Sequence, residues 1–113
     1  MGTDNFGNEW GCDEQTAHKI LGTAIDGGIN FIDTSNSYNE GRSESMIGNY
    51  LNMCGQRDSV VVATKYRSRV GTGVNDIGAS RYHIVRAVEE SLRRLRTDRI
   101  DLLYCHSWDE ETP

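Results

Sequence analysis

The sequence predicts an α/β fold, parallel strands with alternating helices, and three observations carry that prediction. Helix-like and strand-like segments alternate from residue 13 to residue 105, and strand-helix-strand units are almost always right-handed, which makes their sheet parallel. The strand-like runs are apolar on both faces, as strands covered on both sides are. Each run also ends on, or is followed at once by, one titratable residue: Asp33, Lys65 and His106. In a parallel sheet such ends share one rim. Open doubly wound sheets and closed barrels both satisfy these observations.

Residues 13–28 read as a helix: Asp13 is placed to cap it, Ala17, Ile20, Leu21, Ala24 and Ile25 share a face, and Gly27-Gly28 stops it. The run from Ile29 to Ile32 fits a buried strand ending on Asp33. Ser43 is the expected cap of a second helix, with Met46, Ile47, Tyr50 and Leu51 inward and Gly55 at its end. Ser59 to Thr64 is the second strand, β-branched and apolar. The glycine-rich stretch VGTGVNDIGAS lacks the GK[ST] ending of a phosphate loop and lies beyond its strand, so it reads as a flexible connection on the substrate side. Ser80 then caps a third helix with Ile84, Val85, Val88, Leu92 and Leu95 inward, while Glu89 with Arg93 and Glu90 with Arg94 form i,i+4 pairs outside. Ile100 to Cys105 is the third strand.

The chain has 113 residues, enough for one domain at most. A net charge of -5 offers no basic stripe, which argues against nucleic acid as a partner. No apolar run approaches the ~20 residues of a membrane span, and MGTDNFGNEWG lacks the pattern of a secretory signal, so a soluble, cytoplasmic protein is expected. Cys12, Cys54 and Cys105 are odd in number and without CxxC spacing, so free and mostly packed thiols are expected. His18 and His83 sit on helices without a second ligand at useful spacing, and no metal site is expected. Trp10 and Trp108 suit either an aromatic substrate pocket or ordinary packing.

Tyr38 stands five residues after Asp33, on the loop past the first strand, and joins the carboxylate, ammonium and imidazole at the rim. Each alone has a plainer reading: Asp33 as a turn former, Lys65 as a solvated loop charge, His106 as a hydrogen-bonded bystander, Tyr38 as half-exposed packing. Together they make chemical sense. A phenol is a slow proton donor at neutral pH unless a neighbouring cation stabilises its anion. Lys65 is placed to do so, Asp33 to keep the ammonium charged, and His106 to hold a carbonyl oxygen, so the set suits protonating an oxygen as a hydride reaches the adjacent carbon.

Three segments carry a more specific likeness. FIDTSNSYNEGRSESMIGNYL, VVVATK and SRYHIVRAVEESLRRLRTDRIDLLYCHSWD together resemble the aldo-keto reductases, in order and over essentially the whole chain. The resemblance implies a (β/α)8 barrel of which residues 1–113 form the N-terminal half, since a full barrel takes about 250 residues. It implies NADPH or NADP as cofactor, an aldehyde or ketone as substrate, and Asp33, Tyr38, Lys65 and His106 as catalytic residues with Tyr38 donating the proton. It also places Gly2 and Thr3, at the end of the first barrel strand, close to the cofactor, and Asp33 against its nicotinamide ribose. Asp4 stands where an apolar residue is usual. The tail HSWDEETP is similar to the aryl-alcohol-dehydrogenase-like and potassium-channel β-subunit-like branches.

Half a barrel leaves unpaired strand edges, so self-association or a complementing half barrel is expected, with weak or no NADPH binding by this chain alone. Two other functions fit the same rim. One is a barrel aldolase that uses Lys65 as a Schiff-base nucleophile; the other is a non-enzymatic regulatory module that senses nicotinamide.

Overall fold

The computed structural model describes residues 1–113. Its elements run α1 (Glu14–Asp26), β1 (Phe31–Asp33), α2 (Arg42–Cys54), β2 (Val61–Tyr66), α3 (Arg81–Leu95) and β3 (Leu102–Cys105), with 3-10 turns at Tyr38–Gly41 and Arg57–Ser59. The three strands form one sheet in the order β1-β2-β3, and both pairings are parallel. Met1 extends that sheet beyond β1: its carbonyl accepts from the Asp33 N–H at 2.8 Å, its amino group donates to the Phe31 carbonyl at 2.7 Å, and Gly2 bridges to Asp33 in the parallel sense. The first residues thus pair alongside β1, where the resemblance places a first strand.

The register separates two faces. Phe31 pairs with Val61, Ala63 with Leu102 and Lys65 with Tyr104; alternation therefore puts Phe31, Asp33, Val61, Ala63, Lys65, Leu102 and Tyr104 on one face. Ile32, Val62 and Thr64 point the other way and are fully buried against the helices, in a core with Leu21, Ile47 and Leu51. On the first face Phe31, Val61, Leu102 and Tyr104 are exposed. The expectation of strands buried on both faces is thus corrected. Helices cover one side of the sheet only, which is the layering of a barrel wall and not of a doubly wound sheet.

Several local expectations change with packing. The cap of α1 is as expected, the Asp13 carboxylate accepting from the Thr16 N–H at 2.8 Å. Ile20 faces outward, and Ala17 and Leu21 carry the contact. α2 begins two residues earlier than a Ser43 cap would allow, with Gly41 at its N-cap in the left-handed conformation (φ 84°). Ser43 is instead buried, its hydroxyl donating toward the Thr3 carbonyl at 2.8 Å.

α3 packs along His83, Ala87, Ser91 and Leu95, leaving Val85 half exposed. The hydropathy of Ile84, Val85 and Val88 pointed to a neighbouring stripe, whereas small residues were what close approach to α2 required. Gly48 shows why: a Cβ there would lie 2.5 Å from the Arg94 carbonyl oxygen. The expected i,i+4 pairs do not form; Arg93 pairs with Glu90 and Arg94 with Glu44 on α2. Cys54 and Cys105 are exposed while Cys12 is half-buried against the core, so the thiols are free as expected but mostly not packed.

Candidate active site

The rim at the carboxyl ends of the strands is built on a buried polar layer. Thr3, Thr34, Ser43, Glu44 and Thr64 are each at most 1% exposed, so every polar atom there needs an internal partner. The Thr3 hydroxyl donates to the Asp33 carbonyl at 2.9 Å, Ser43 bonds Thr3 and lies 3.0 Å from the Thr34 hydroxyl, and Thr64 donates to Glu44. The other Glu44 oxygen accepts from Arg94 Nε at 2.6 Å. This layer fixes the backbone of Asp33-Thr34 and of Thr64-Lys65, the two strand ends that carry the charged groups.

Above it the structure brings Asp33, Tyr38 and Lys65 within hydrogen-bonding reach of one another. Lys65 Nζ donates to Asp33 Oδ2 at 2.6 Å, to the Thr34 carbonyl at 2.9 Å and to the Tyr38 hydroxyl oxygen at 3.2 Å. An ammonium has three N–H donors, and all are engaged. Burial alone would push the Lys65 pKa down, but the hydrogen bonds and charges of Asp33 and Tyr38 outweigh it, and the net direction is up. Lys65 therefore stays a cation through neutral pH, and a cation with every proton engaged has no lone pair for Schiff-base attack.

Tyr38 owes its place to an unusual turn. Asn39 and Glu40 both have left-handed backbone (φ 52° and 60°) and Gly41 follows at 84°, a run that is costly for residues with side chains. Asn39 offsets the strain, since its amide donates to the carbonyls of Asp4 and Phe6, both at 2.7 Å. The Tyr38 ring meets His106 edge to face, with centroids 5.8 Å apart. His106 sits at the end of β3, its N–H donating to the Tyr66 carbonyl at 3.0 Å. Burial and then the Lys65 charge lower its pKa, with Asp33 partly opposing, so the imidazole is neutral at neutral pH.

The cofactor-side expectations divide. Asp33 Oδ1 takes no hydrogen bond from the protein while Oδ2 holds Lys65, and Gly2, beside it, faces open space where a side chain would stand. That pair suits the hydroxyls of a ribose. Thr3 does not: it is buried and its hydroxyl is spent on Asp33 and Ser43. Trp10 and Trp108 are both largely exposed, so the packing alternative fails for each. Trp108 joins Arg67, Val74 and Ile77 in the wall of a cleft of about 660 Å3 between the glycine-rich loop and the tail. That loop is closed by bonds of Val70 N–H to the Asp76 carbonyl and Gly78 N–H to the Arg67 carbonyl, both 2.9 Å.

Sequence reasoning missed Ser35 and Ser68, which approach His106, and the Glu44-Arg94 pair beneath the rim. A glutamate at the start of a helix reads as a dipole partner, and only a contact 50 positions away in sequence reveals its role.

The family model described as Aldo/keto reductase family matches residues 1–113. The uncharacterized oxidoreductase YrpG of Bacillus subtilis is 44% identical over 122 residues, covering 100% of this chain and 37% of that protein. A protein described as a probable voltage-gated potassium channel subunit beta from Arabidopsis thaliana is 41% identical over 108 residues, covering 96% of this chain and 32% of its own length. An aldo-keto reductase from Bacillus halodurans, solved in its holo form, superposes with a TM-score of 0.78 at 36% identity, over 91% of this chain and 33% of that one. The chain thus spans roughly a third of the length of the relatives it matches.

Proposed function

Because the chain belongs to the aldo/keto reductase family, we propose that its rim is the proton-donating part of a site that reduces an aldehyde or ketone to an alcohol with NADPH. One observation carries the reading: Lys65 Nζ bridges Asp33 Oδ2 and the Tyr38 hydroxyl at 2.6 and 3.2 Å. When bound, NADPH supplies the hydride; Asp33 Oδ1 and the open edge at Gly2 are the groups of this chain that would hold its ribose.

The rest of the step belongs to the side chains. As the carbonyl carbon gains the hydride, the π electrons move to oxygen, and that oxygen takes the Tyr38 proton. The products are the alcohol and the oxidised nucleotide, with Tyr38 left as phenolate. Lys65 stabilises that phenolate through the N–H it already gives the phenol oxygen. Asp33 keeps the ammonium in place, and neutral His106 orients the carbonyl oxygen.

The reaction also needs the sheet's open face covered. Phe31, Val61, Leu102 and Tyr104 are the surface on which further strands close, and we place those strands in a complementing half barrel or a second copy. Three free thiols, two of them exposed, fit a reducing compartment, which supports a cytoplasmic site. No helix is long and apolar enough to cross a membrane.

The test is to mix the chain with NADPH and a panel of aromatic aldehydes, alone and with the remaining part of a relative's barrel, and to follow the reduced-nicotinamide absorbance. Consumption is expected in the complemented sample, with weak or no NADPH binding by the chain alone. Borohydride trapping of substrate on Lys65, or no consumption after complementation, would overturn the reading.

A further inference from the structure

We propose that Ser35, assisted by Ser68, is a positioning residue that holds the His106 ring by Nδ1 and fixes the tautomer with its proton on Nε2, the form that donates a hydrogen bond to a carbonyl oxygen. Ser35 is fully buried, and its Oγ lies 3.2 Å from His106 Nδ1. The Ser68 hydroxyl lies 3.4 Å from the same nitrogen. Two hydroxyls from different loops therefore converge on one ring atom.

One bond to Ser35 has a fixed direction, and the rest of the arrangement is built on it. The Ser37 N–H donates to Ser35 Oγ at 3.3 Å, and the Ser37 hydroxyl lies 3.0 Å from it. A hydroxyl has one proton and two lone pairs. The Ser37 N–H takes one lone pair; in the arrangement we assign, the Ser37 O–H takes the other and the Ser35 proton turns to His106 Nδ1, whereas the reverse arrangement, Nδ1–H donating to Ser35 and Ser35 to Ser37, is the Nδ1–H tautomer that the experiment below tests. Ser68 forms no other side-chain hydrogen bond and can add a second donor. Nδ1 then accepts, and a neutral imidazole must carry its proton on Nε2. Such a chain is self-reinforcing, since each O–H polarises the next. In turnover the consequence rests on the carbonyl-reducing reading above, but the tautomer itself is readable without substrate.

The experiment is long-range 1H–15N correlation of the imidazole rings in the labelled chain, at a pH well above the ordinary histidine value of about 6.5. His106 is assigned by the signal lost in His106→Gln. The expected pattern is a single Nε2–H tautomer that becomes a mixture in Ser35→Ala and shifts in the same direction, by less, in Ser68→Ala. Signals of His18 and His83 report that each variant is folded; if Ser35→Ala fails that check, the wild-type pattern and Ser68→Ala decide. An Nδ1–H tautomer in the wild type, or an unchanged His106 pattern in folded variants, overturns the assignment. In the complemented enzyme, Ser35→Ala should lower kcat by about tenfold with KM within about twofold. A tautomer that responds as expected in a protein that reduces no carbonyl would sink the reductase reading and leave the serine assignment standing.

Discussion

The two rims of the sheet both carry charged groups and use them in opposite ways. At the amino ends, Asp101 accepts from the Val62 N–H at 2.8 Å and from Arg57 at 2.7 Å on one oxygen, and from Arg99 at 3.0 Å on the other. Arg57 and Arg99 spend further donors on the carbonyls of Val60, Arg99 and Arg57 and on Asp58. This lower network ties loop backbone to loop backbone. One donor of that network, the buried Arg57 Nε, has no partner; at the carboxyl ends every Lys65 proton is engaged, yet the Tyr38 proton, Asp33 Oδ1 and His106 Nε2 have no protein acceptor or donor. Charge density alone does not mark a site. A donor, an acceptor and an imidazole gathered at one rim, each held by one atom and free at another, do.

The sharpest way to break that contrast is Tyr38→Phe. It removes one hydroxyl whose only protein hydrogen bond is with Lys65, so the melting temperature should hardly move. Carbonyl reduction in the complemented protein should fall by about 10³-fold, within the range for loss of a general acid. Steady-state turnover together with a thermal melt checks both halves, and activity near wild type would remove the distinction between the rims.

Next in size is the layer beneath the upper rim. Arg94→Met leaves Glu44 charged and buried with no cation beside it, at an expected cost of about 3 kcal/mol. Adding Glu44→Gln should recover most of that loss, a coupling that a double-mutant cycle by urea denaturation measures. Gly48→Ala is expected to cost about 2 kcal/mol, because its Cβ would meet the Arg94 and Leu95 carbonyls at 2.5 and 2.6 Å and push α2 away from α3. The same displacement would pull Arg94 from Glu44, so the two effects should not add.

These two substitutions also mark where the sequence stops being readable. The carboxyl ends of β1 and β3, the Asp13 cap and the grouping of Asp33, Tyr38, Lys65 and His106 were legible because each depends on local pattern plus one rule, that parallel strands end together; the second strand, expected over residues 59–64, instead runs Val61–Tyr66, so Lys65 lies within it. The inner stripe of α3 was not, because His83, Ala87 and Ser91 are chosen for size and for contacts with distant elements, and hydropathy does not encode either. Ser43 and Glu44 looked like helix-start residues and proved to be the floor of the site. The coverage of the sheet was legible only in part: near-continuous apolar runs identified the strands, while which face meets helices depends on how the whole wall is layered.

The smallest expected effect separates the rims by pH. Burial works against the Asp101 carboxylate, but the Val62 N–H, Arg57 and Arg99 together hold its pKa below the usual carboxylate value. A depressed acid contributes stability that is present above the unfolded value of about 3.9 and lost as pH falls through the folded one. His106 is also depressed, and for a base the unfolded chain takes up its proton first, so stability begins to fall already below about pH 6.5. Lys65 is raised; its contribution is complete below about pH 10.4 and is lost as pH climbs through the higher folded value. Asp101→Asn should therefore cost about 1 kcal/mol at neutral pH, with the partial exposure of the pair keeping it small, and should flatten only the most acidic part of the stability profile. His106→Gln should flatten the step that begins near neutrality and leave the acidic limb intact. If either variant altered the other's limb, the two rims would be electrostatically joined, and the lower network would have a part in tuning the site that its backbone contacts do not suggest.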